Sequence, residues 1–476
     1  MLASYNLYKR EVSLLQTVAI ATGKTVKELM HRTGRGGTAL PGLIATTIDP
    51  FILRDLTARL PGGSAMVIGT NGKTTSTRLF ATILETAGIK VANNRSGSNL
   101  LRGLTSTLLN QATLNGKLAA DMGLFEVDEA AFPKAQAKIL PKLILINNLF
   151  RDQLDRYGEI DTVRKQWAKT IQTLAPGTTL VLNADDPSMV YLARFAPEGV
   201  RTVFFGLDHP PLALTELPHA VDAARCIVCG ATLVYDAIYI SHMGHYHCPN
   251  CDFRRPDPDF VVKAIELSVE DGSQFVLNTP DGPLELKVGV PGLYNVYNAA
   301  GASAATLSLG IAPDHVKEGL AKFKSVFGRI ERVALGDGRH LLMALVKNPV
   351  GFNEVLRMLT NDPDRRLKMM VVINDLYADG RDVSWLWDVD FEILAGKLDF
   401  VQTGGLRATD MANRLKYAGI EPSIISWEEN IAESLKKALE HLEPGETLYI
   451  TPTYTAMLQL REVLTKMGLV IPFWEE

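Results

Sequence analysis

Gly69-Thr70-Asn71-Gly72-Lys73-Thr74-Thr75 is the stretch best equipped for chemistry. The apolar run Ala65-Met66-Val67-Ile68 precedes it, and a helix-like pattern from Ser76 to Ala87 follows. Strand, glycine turn, Lys-Thr and helix in one register read as a phosphate-binding loop. The glycines leave backbone N–H groups bare, and the helix aims its positive end at the same spot. Lys73 is placed to reach the outer phosphates and Thr74 to hold Mg²⁺. Val67 stands where the first glycine of the strict eight-residue pattern belongs, so the loop is a variant.

The four cysteines form two pairs, Cys226-Ile-Val-Cys229 and Cys248-Pro-Asn-Cys251, with 18 residues between them. This spacing points to tetrahedral zinc on thiolates. The intervening Tyr235–Ile240 run and Gly244 read as a short hairpin, which makes the unit a zinc ribbon. His245 and His247 are alternative ligands, though four thiolates already close the shell. A closed shell leaves no open position for substrate, so the metal is structural, and zinc binding of roughly 10–16 kcal/mol can fold a knuckle too small for a core of its own. With all four cysteines spent on metal, none remains as a nucleophile.

Carboxylates and amides cluster just past expected strand ends, where open α/β sheets bind ligands. Glu126-Val127-Asp128-Glu129 follows a strand at Leu124, and Asn147 to Asp155, with Asp152, follows one at Leu143. Phosphoryl transfer needs oxygen ligands for Mg²⁺ beside the phosphates, and such groups supply them; the plainer reading is solvated loop charge. Asn183-Ala184-Asp185-Asp186-Pro187 is either part of the site or a turn and helix cap. Gly328-Arg329-Ile330-Glu331 either places an arginine over the phosphates or forms a hinge salt bridge.

The elements that must position these groups alternate. Strands are expected at Ala65–Ile68, Val91, Leu124–Val127, Leu143–Asn147, Thr179–Asn183 and Thr202–Phe205, then at Gln274–Asn278 and Leu284–Val290 after the ribbon. Asn295 to Leu320 reads as alanine-rich helices. A second alternating series has strands at Leu341–Val346, Met369–Ile373, Phe400–Thr403, Ser423–Ile425 and Thr447–Thr451, with helices at Asn353–Leu359, Met411–Ala418 and Ile431–Leu442. Such alternation predicts an α/β fold of parallel sheets with helices on both faces. The expected divisions are an N-terminal helical segment over 1–58, a nucleotide-binding domain over 59–320 with the ribbon inserted at about 222–255, and a Rossmann-like α/β domain over 321–476.

Composition excludes other classes. A chain of 476 residues with net charge −4 lacks the basic footprint of a nucleic-acid binder. Arg254 and Arg255 follow the ribbon, but no basic stripe with interleaved aromatics accompanies them. No run approaches the roughly 20 apolar residues that span a bilayer, and the N-terminus lacks a charged leader with an apolar core. A cytoplasmic location is expected.

Gly69–Thr75, Asn183–Pro187, Asn295-Val-Tyr-Asn298 and Phe327-Gly-Arg-Ile-Glu331 resemble the successive signatures of the Mur ligase superfamily, in that superfamily's order. Those enzymes use ATP to convert a carboxylate into an acyl phosphate, which an amine attacks. The amino-acid-adding members have a longer N-terminal domain than the 60 or so residues before this loop. Many carry a carbamylated lysine nine residues past a glycine equivalent to Gly158; that position here is Trp167. Where they have an Asp-Tyr-Ala-His-Asn-Pro type segment, this chain has Ala344-Leu-Val-Lys-Asn-Pro349, and they normally lack the cysteine pairs. These departures, with Asn374-Asp375 and Ala378-Asp-Gly-Arg-Asp-Val-Ser-Trp-Leu-Trp-Asp388, resemble the MurT family, the synthetase subunits of lipid II isoglutaminyl synthase.

The resemblance implies ATP-dependent amidation of the α-carboxylate of D-glutamate in the lipid II stem peptide, a step of peptidoglycan synthesis. Ammonia would come from a GatD-type glutaminase in a heterodimer, with peripheral contact at the inner face of the membrane. It implies that Gly69 to Thr75, Asp185, Asn295 and Arg329 line the nucleotide, and that Thr74 and Glu126 hold Mg²⁺ beside Lys73. It also implies an aspartate lent to the partner's Cys-His pair. Asp388, beside Trp385 and Trp387, is the choice, with Asp379 and Asp382 as rivals; a helix cap with both tryptophans in the core is the alternative. A residue-adding ligase of the folylpolyglutamate synthetase type, with a comparably short N-terminal region, is the second reading; Trp167 and the cysteine pairs count against it.

Overall fold

The computed structural model describes residues 13–32, 39–94, 98–151, 160–216, 218, 223–323, 329–362 and 364–470. Among the described residues, the helical segment expected over 1–58 holds three helices, α1 (Leu14–Arg32), α2 (Leu40–Ile48) and α3 (Ile52–Thr57). The chain then lays down β1 (Ser64–Ile68), α4 (Lys73–Thr86), β2 (Val91–Asn93), α5 (Leu101–Gln111), β3 (Met122–Glu126), α6 (Phe132–Ile139) and β4 (Leu143–Ile146). After α7 (Ile160–Ile171) come β5 (Thr179–Asn183), α8 (Pro187–Ala193) and β6 (Arg201–Leu207). The hairpin β7 (Val234–Ile240) and β8 (Met243–His247) stands apart as its own sheet.

Three further strands extend the first sheet: β9 (Phe260–Ser268), β10 (Gly272–Thr279) and β11 (Gly282–Val288). The strand order is β11-β10-β9-β6-β5-β4-β1-β3-β2. It is parallel from β2 through β9, and β10 and β11 add antiparallel. The sheet is therefore mixed where the alternation suggested a parallel one, and β9 was not anticipated. Its mixed pattern, with Lys263 and Glu266 exposed, hides the period of a buried strand.

The central strands are buried on both faces, so successive side chains feed two cores. Ala65 and Val67 of β1 and Leu143 and Leu145 of β4 pack with α4 and with α9 (Leu293–Ser308) and α10 (Pro313–Lys322). Met66, Ile68, Ile144 and Ile146 pack on the opposite side with α1 to α3 and α5 to α7.

A second sheet begins at Arg329 with β12 (Arg329–Gly336) and β13 (Arg339–Ala344), followed by α11 (Pro349–Leu359), β14 (Leu367–Val372), β15 (Leu398–Gly404) and α12 (Ala408–Tyr417). Then come β16 (Ile425–Glu428), α13 (Ile431–Glu440), β17 (Thr447–Pro452) and α14 (Tyr454–Lys466). Its order is β12-β13-β17-β14-β15-β16, parallel except for the β12/β13 hairpin. The stretch offered as either a phosphate arginine or a hinge salt bridge opens β12 at Arg329, and its Glu331 is ion-paired with Arg461. The strand expected at Ser423–Ile425 starts later, because Pro422 initiates a 3-10 turn over Pro422–Ile424.

The halves meet along α11. Val350 enters the core of the first sheet, while Phe352, Val355 and Leu356 stay in their own. Arg357 Nη1 donates to Tyr239 O on β7 at 2.6 Å and to Glu354 Oε1 at 2.8 Å. Burial pushes the Glu354 carboxyl up, opposed by the Arg357 guanidinium. Arg365 adds an ion pair to Glu270 at 3.0 Å.

Asp185 ties the ribbon to the sheet. Fully buried at the end of β5, it accepts from Arg255 Nε and Tyr297 OH, each at 2.6 Å, and from Leu207 N at 2.8 Å. Its carbonyl receives Gly244 N of β8 at 2.9 Å. Burial holds the Tyr297 hydroxyl well above its usual range, so it stays a donor. Burial alone would lower Arg255, but the adjoining carboxylate outweighs it and the net shift is upward. Removing one partner of such a pair strands a buried charge at a cost of several kcal/mol. Asp185→Ala should therefore cost about 3–5 kcal/mol of unfolding free energy, measured by urea denaturation, with Asp185→Asn losing less because it keeps an acceptor for Tyr297.

Candidate functional site

The phosphate loop spans the turn from β1 to α4. Gly69 has φ +140° and Gly72 φ +81°, conformations that L side chains rarely adopt. Gly72 is constrained twice, since a Cβ there would lie 2.0 Å from Asn298 Oδ1. The first turn of α4 presents N–H groups that have no acceptor within the helix, which is what an anion needs.

Around this opening, the polar groups bond to one another. Asn71 N donates to Asn148 Oδ1 at 2.9 Å, and Asn148 Nδ2 returns to Asn71 O at 3.2 Å. Thr70 and Phe150 exchange bonds, the Phe150 N–H giving 3.0 Å to Thr70 Oγ1. Ser76 Oγ receives Asn147 Nδ2 at 2.9 Å and donates to Asn298 Oδ1 at 3.2 Å. Asn298 Nδ2 in turn reaches Asn295 Oδ1 at 3.2 Å, and Asn295 is pinned to Pro291 O at 2.7 Å. Asn295 thus stands behind Asn298, one turn from the loop.

Lys73 folds back on its own loop. Its Nζ donates to Gly69 O at 2.5 Å, Thr70 O at 3.2 Å and Glu129 Oε1 at 2.8 Å, and both side chains of the ion pair are buried. Thr74 Oγ1 donates to Glu126 Oε1 at 3.1 Å, close to the ~2.9 Å edge of an octahedron with ~2.0–2.1 Å bonds. Thr74 and Glu126 therefore fit adjacent positions on Mg²⁺. Asn94 fixes Glu126 by exchanging both backbone bonds with it, at 2.9 and 3.0 Å.

The second half of the chain contributes Asn348, the cap of α11. Its Oδ1 accepts from Gly351 N at 2.9 Å, and its Nδ2 donates to Asn71 Oδ1 at 3.0 Å. Two groups absent from the sequence-based site thus join it: Glu129, which lies in the acidic stretch credited to Glu126, and Asn348. The Asn-Pro pair is a helix-start signal, but nothing local says that this cap meets a loop 277 residues away.

Other expected residues lie elsewhere. Asp185 faces Arg255 and Tyr297 with no exposed surface, so it is not placed to touch a nucleotide and instead bonds to α9 through Tyr297. Asp186 is the helix-cap alternative realised: it accepts from Ser188 N at 2.7 Å and Leu149 N at 2.8 Å. Trp167 is fully buried, edge-on to Phe132 at 5.9 Å, and donates to Glu129 O at 3.1 Å. It backs the loop as packing. Arg329 opens β12, but its side chain lies outside the described residues, as do Asp152, Asp155, Gly158, Phe327 and Gly328.

The four cysteines converge, with all Sγ atoms within 4.8 Å of one another and the closest pairs 3.4 and 3.6 Å apart. Tetrahedral zinc with ~2.3 Å bonds needs sulfur pairs about 3.8 Å apart, so the set fits that ion. Backbone donation from Ala231, then Asn250 and Cys248, brings the Cys229 thiol down to about 6. The histidine alternative is not taken up: His245 bonds to Leu207 O at 2.7 Å and His247 to Asp236 at 3.1 Å. Leu233, Tyr246 and Phe253 form a small core against Val190 and Tyr191 of α8.

The loop around Ser384–Asp388 is a 3-10 turn in the second half. Its tryptophans divide between the two readings. Trp385 packs on Phe352 at 6.4 Å, whereas Trp387 is 56% exposed, 5.8 Å from the Tyr417 ring and under the Arg414 guanidinium. Asp379 is buried and bonded to Thr455 and Leu376 N, and Asp382 caps Ser384 N at 2.8 Å. Asp388 is exposed and accepts no hydrogen bond from the described residues.

Residues 67–251 match the model for the Mur ligase middle domain, and residues 345–457 match that for the MurT ligase C-terminal region. The subunit MurT of the glutamine-hydrolyzing lipid II isoglutaminyl synthase of Streptococcus pneumoniae is 34% identical, over 96% of this chain and 99% of that protein. Its counterpart in Staphylococcus aureus is 32% identical, over 95% and 98%. Among solved structures, a pseudomurein peptide ligase type C from Methanothermus fervidus superposes with TM-score 0.65 and 22% identity, covering 87% of this chain and 80% of that one, which speaks for the fold. The loop and its magnesium-competent oxygens lie in a chain that the two MurT subunits match over nearly all its length, and this protein belongs to the MurT family of Mur-ligase-type synthetase subunits.

Proposed function

We propose that this chain uses ATP and Mg²⁺ to amidate lipid II, converting the α-carboxylate of the D-glutamate in its stem peptide to an amide with ammonia from a partner glutaminase of the GatD type. The observation that carries this reading is the loop constellation of Lys73, Thr74, Glu126 and Glu129, closed by Asn348, in a chain that MurT relatives match over nearly its whole length. Amidation in place of residue addition is supported by Trp167, which fills with indole the position where many residue-adding ligases carry a lysine.

The reaction has two steps. A carboxylate oxygen attacks the γ-phosphorus, the bond to the β-γ bridging oxygen breaks, and ADP leaves an acyl phosphate. Ammonia then adds to the carbonyl carbon, loses a proton, and phosphate departs with the carbon–oxygen bond electrons. Catalysis of the first step is mainly positioning and charge stabilisation. Loop N–H groups cradle the phosphates. Lys73 exchanges its bonds to Gly69 O and Thr70 O for phosphate oxygens, with Glu129 holding the ammonium in place. Mg²⁺ on Thr74 and Glu126 would neutralise charge on the transferring group. Asn295 supports Asn298 at the loop rim, and Arg329 remains a candidate for the nucleotide.

Every cysteine belongs to the metal cluster, so the thiol that releases ammonia from glutamine belongs to another chain. Of the three candidate aspartates, Asp388 is the one both exposed and unengaged, beside an exposed tryptophan suited to anchoring an interface. It would orient and stabilise the partner's histidine. The cluster would hold structural zinc. No helix among the described residues is long and apolar enough to cross a membrane, so contact with the lipid-linked substrate would be peripheral, at the inner face of the cell membrane.

Mass spectrometry of lipid II incubated with the chain, ATP and Mg²⁺ should show amidation with ammonium, and with glutamine plus the glutaminase, but not with glutamine alone. A product enlarged by a whole amino acid would instead support the residue-adding ligase. Asp388→Asn should abolish glutamine-dependent amidation and leave the ammonium-dependent rate near wild type; equal loss of both would place Asp388 in the synthetase site. Metal analysis should return about one zinc per chain, and Cys248→Ser should lose the metal and lower the melting temperature.

A further inference from the structure

Helix α11 is held by its polar side chains at three places. At its start, Asn348 pairs with Asn71 of the phosphate loop. Near its end, about 13.5 Å away at ~1.5 Å per residue, Arg357 bonds to Tyr239 O of the ribbon hairpin. Between them lies Asn353, 6% exposed. Its Nδ2 donates to Asp390 Oδ2 at 2.8 Å, and its Oδ1 accepts from Asp390 N, also at 2.8 Å. One amide therefore fixes both the side chain and the backbone of the residue two places after Asp388. Phe352, the preceding helix residue, packs on Trp385 and on Phe391 at the two ends of the same loop.

We infer that Asn353 is a positioning residue for the glutaminase half of the reaction: by clamping Asp390 it aims Asp388 at the partner, from a helix anchored on the phosphate loop. This rests on the role proposed for Asp388. The physical argument is one of loop entropy. A side chain such as that of Asp388, whose carboxylate makes no bond to the described residues, keeps a defined direction only if the backbone around it is fixed, and a bidentate, buried amide clamp does that where a single exposed bond would not. Because α11 is gripped on the phosphate loop and on the ribbon, the clamp also sets Asp388 at a fixed place relative to the site that consumes the ammonia.

The test is a swap of partners. Asn353→Asp keeps the acceptor for Asp390 N but opposes two carboxylates at hydrogen-bond distance. Asp390→Asn keeps the acceptor for Asn353 and removes charge. The double variant restores a carboxylate–amide pair in reverse. Full-length heterodimers would be assayed for glutamine-dependent and ammonium-dependent amidation. The ratio of the two should fall about ten-fold in Asn353→Asp, change little in Asp390→Asn, and return to within about two-fold of wild type in the double variant. A structural defect would lower both rates together and leave the ratio unchanged, which would overturn the inference. So would a lowered ratio that the double variant does not rescue. Asp388→Asn run in parallel separates the two claims. If that variant loses glutamine dependence while Asn353→Asp keeps a normal ratio, only the positioning role fails; if Asp388→Asn keeps a normal ratio, the role of Asp388 itself is wrong.

Discussion

A phosphate loop must keep its N–H groups open to an anion while the polar groups around them are satisfied, and the architecture answers to that constraint. Amides solve the problem because each offers both a donor and an acceptor. Asn147 and Asn148 arrive from the end of β4, Asn295 and Asn298 from α9, and Asn348 from α11, so that three separate elements meet on the turn between β1 and α4. None of these side chains brings a charge that would compete with phosphate. The charged groups Lys73, Glu126 and Glu129 are engaged at the loop and the first turn of α4, Lys73 with Glu129 and Glu126 with Thr74.

Behind the loop, order is maintained by a buried ion pair. Asp185 joins the end of β5 to Arg255 at the exit of the ribbon and to Tyr297 on α9. Buried pairs of this kind are weak evidence for net stability, because desolvation offsets their attraction. Here the pair links the inserted hairpin to the helix that carries Asn295 and Asn298. The ribbon also receives Arg357 from the second half, so it lies between the two sheets as a docking post. A small module with a core of few side chains is suited to that work only if something rigid holds its ends, and four converging cysteine sulfurs could do so by holding a metal ion.

The second half depends on α11 in the same way. Its apolar face belongs to two cores at once, Val350 to the first sheet and Phe352 to the second. A helix shared between cores cannot shift without disturbing both, since interiors packed at crystal-like density transmit displacement. That places the cap at the phosphate loop and the loop bearing Trp387 and Asp388 in one mechanical unit.

Much of this was legible in the residue order. Local geometry follows from short-range rules, so the glycines of the loop, the alternating strands and helices and the paired cysteines were each readable in place. So was the helix cap at Asp186, which was one of two readings offered for its segment. What the sequence alone misjudged or left open were contacts at long range. Asp185 was expected at the nucleotide and is instead sealed against Arg255. Glu129, not singled out from its acidic stretch, is the carboxylate that meets Lys73. Asn348 was given no role of its own, though its Asn-Pro is the part of the segment shared with the family pattern, and it caps a helix onto the phosphate loop. The strand at Phe260 was hidden by its exposed polar residues, and the stretch at Arg329, offered as a phosphate arginine or a hinge salt bridge, opens a strand. Backbone preference and hydrophobic period determine what each segment becomes, because they act over a few residues; which side chain faces which depends on how distant strands and helices stack, and only the packed tertiary structure decides that.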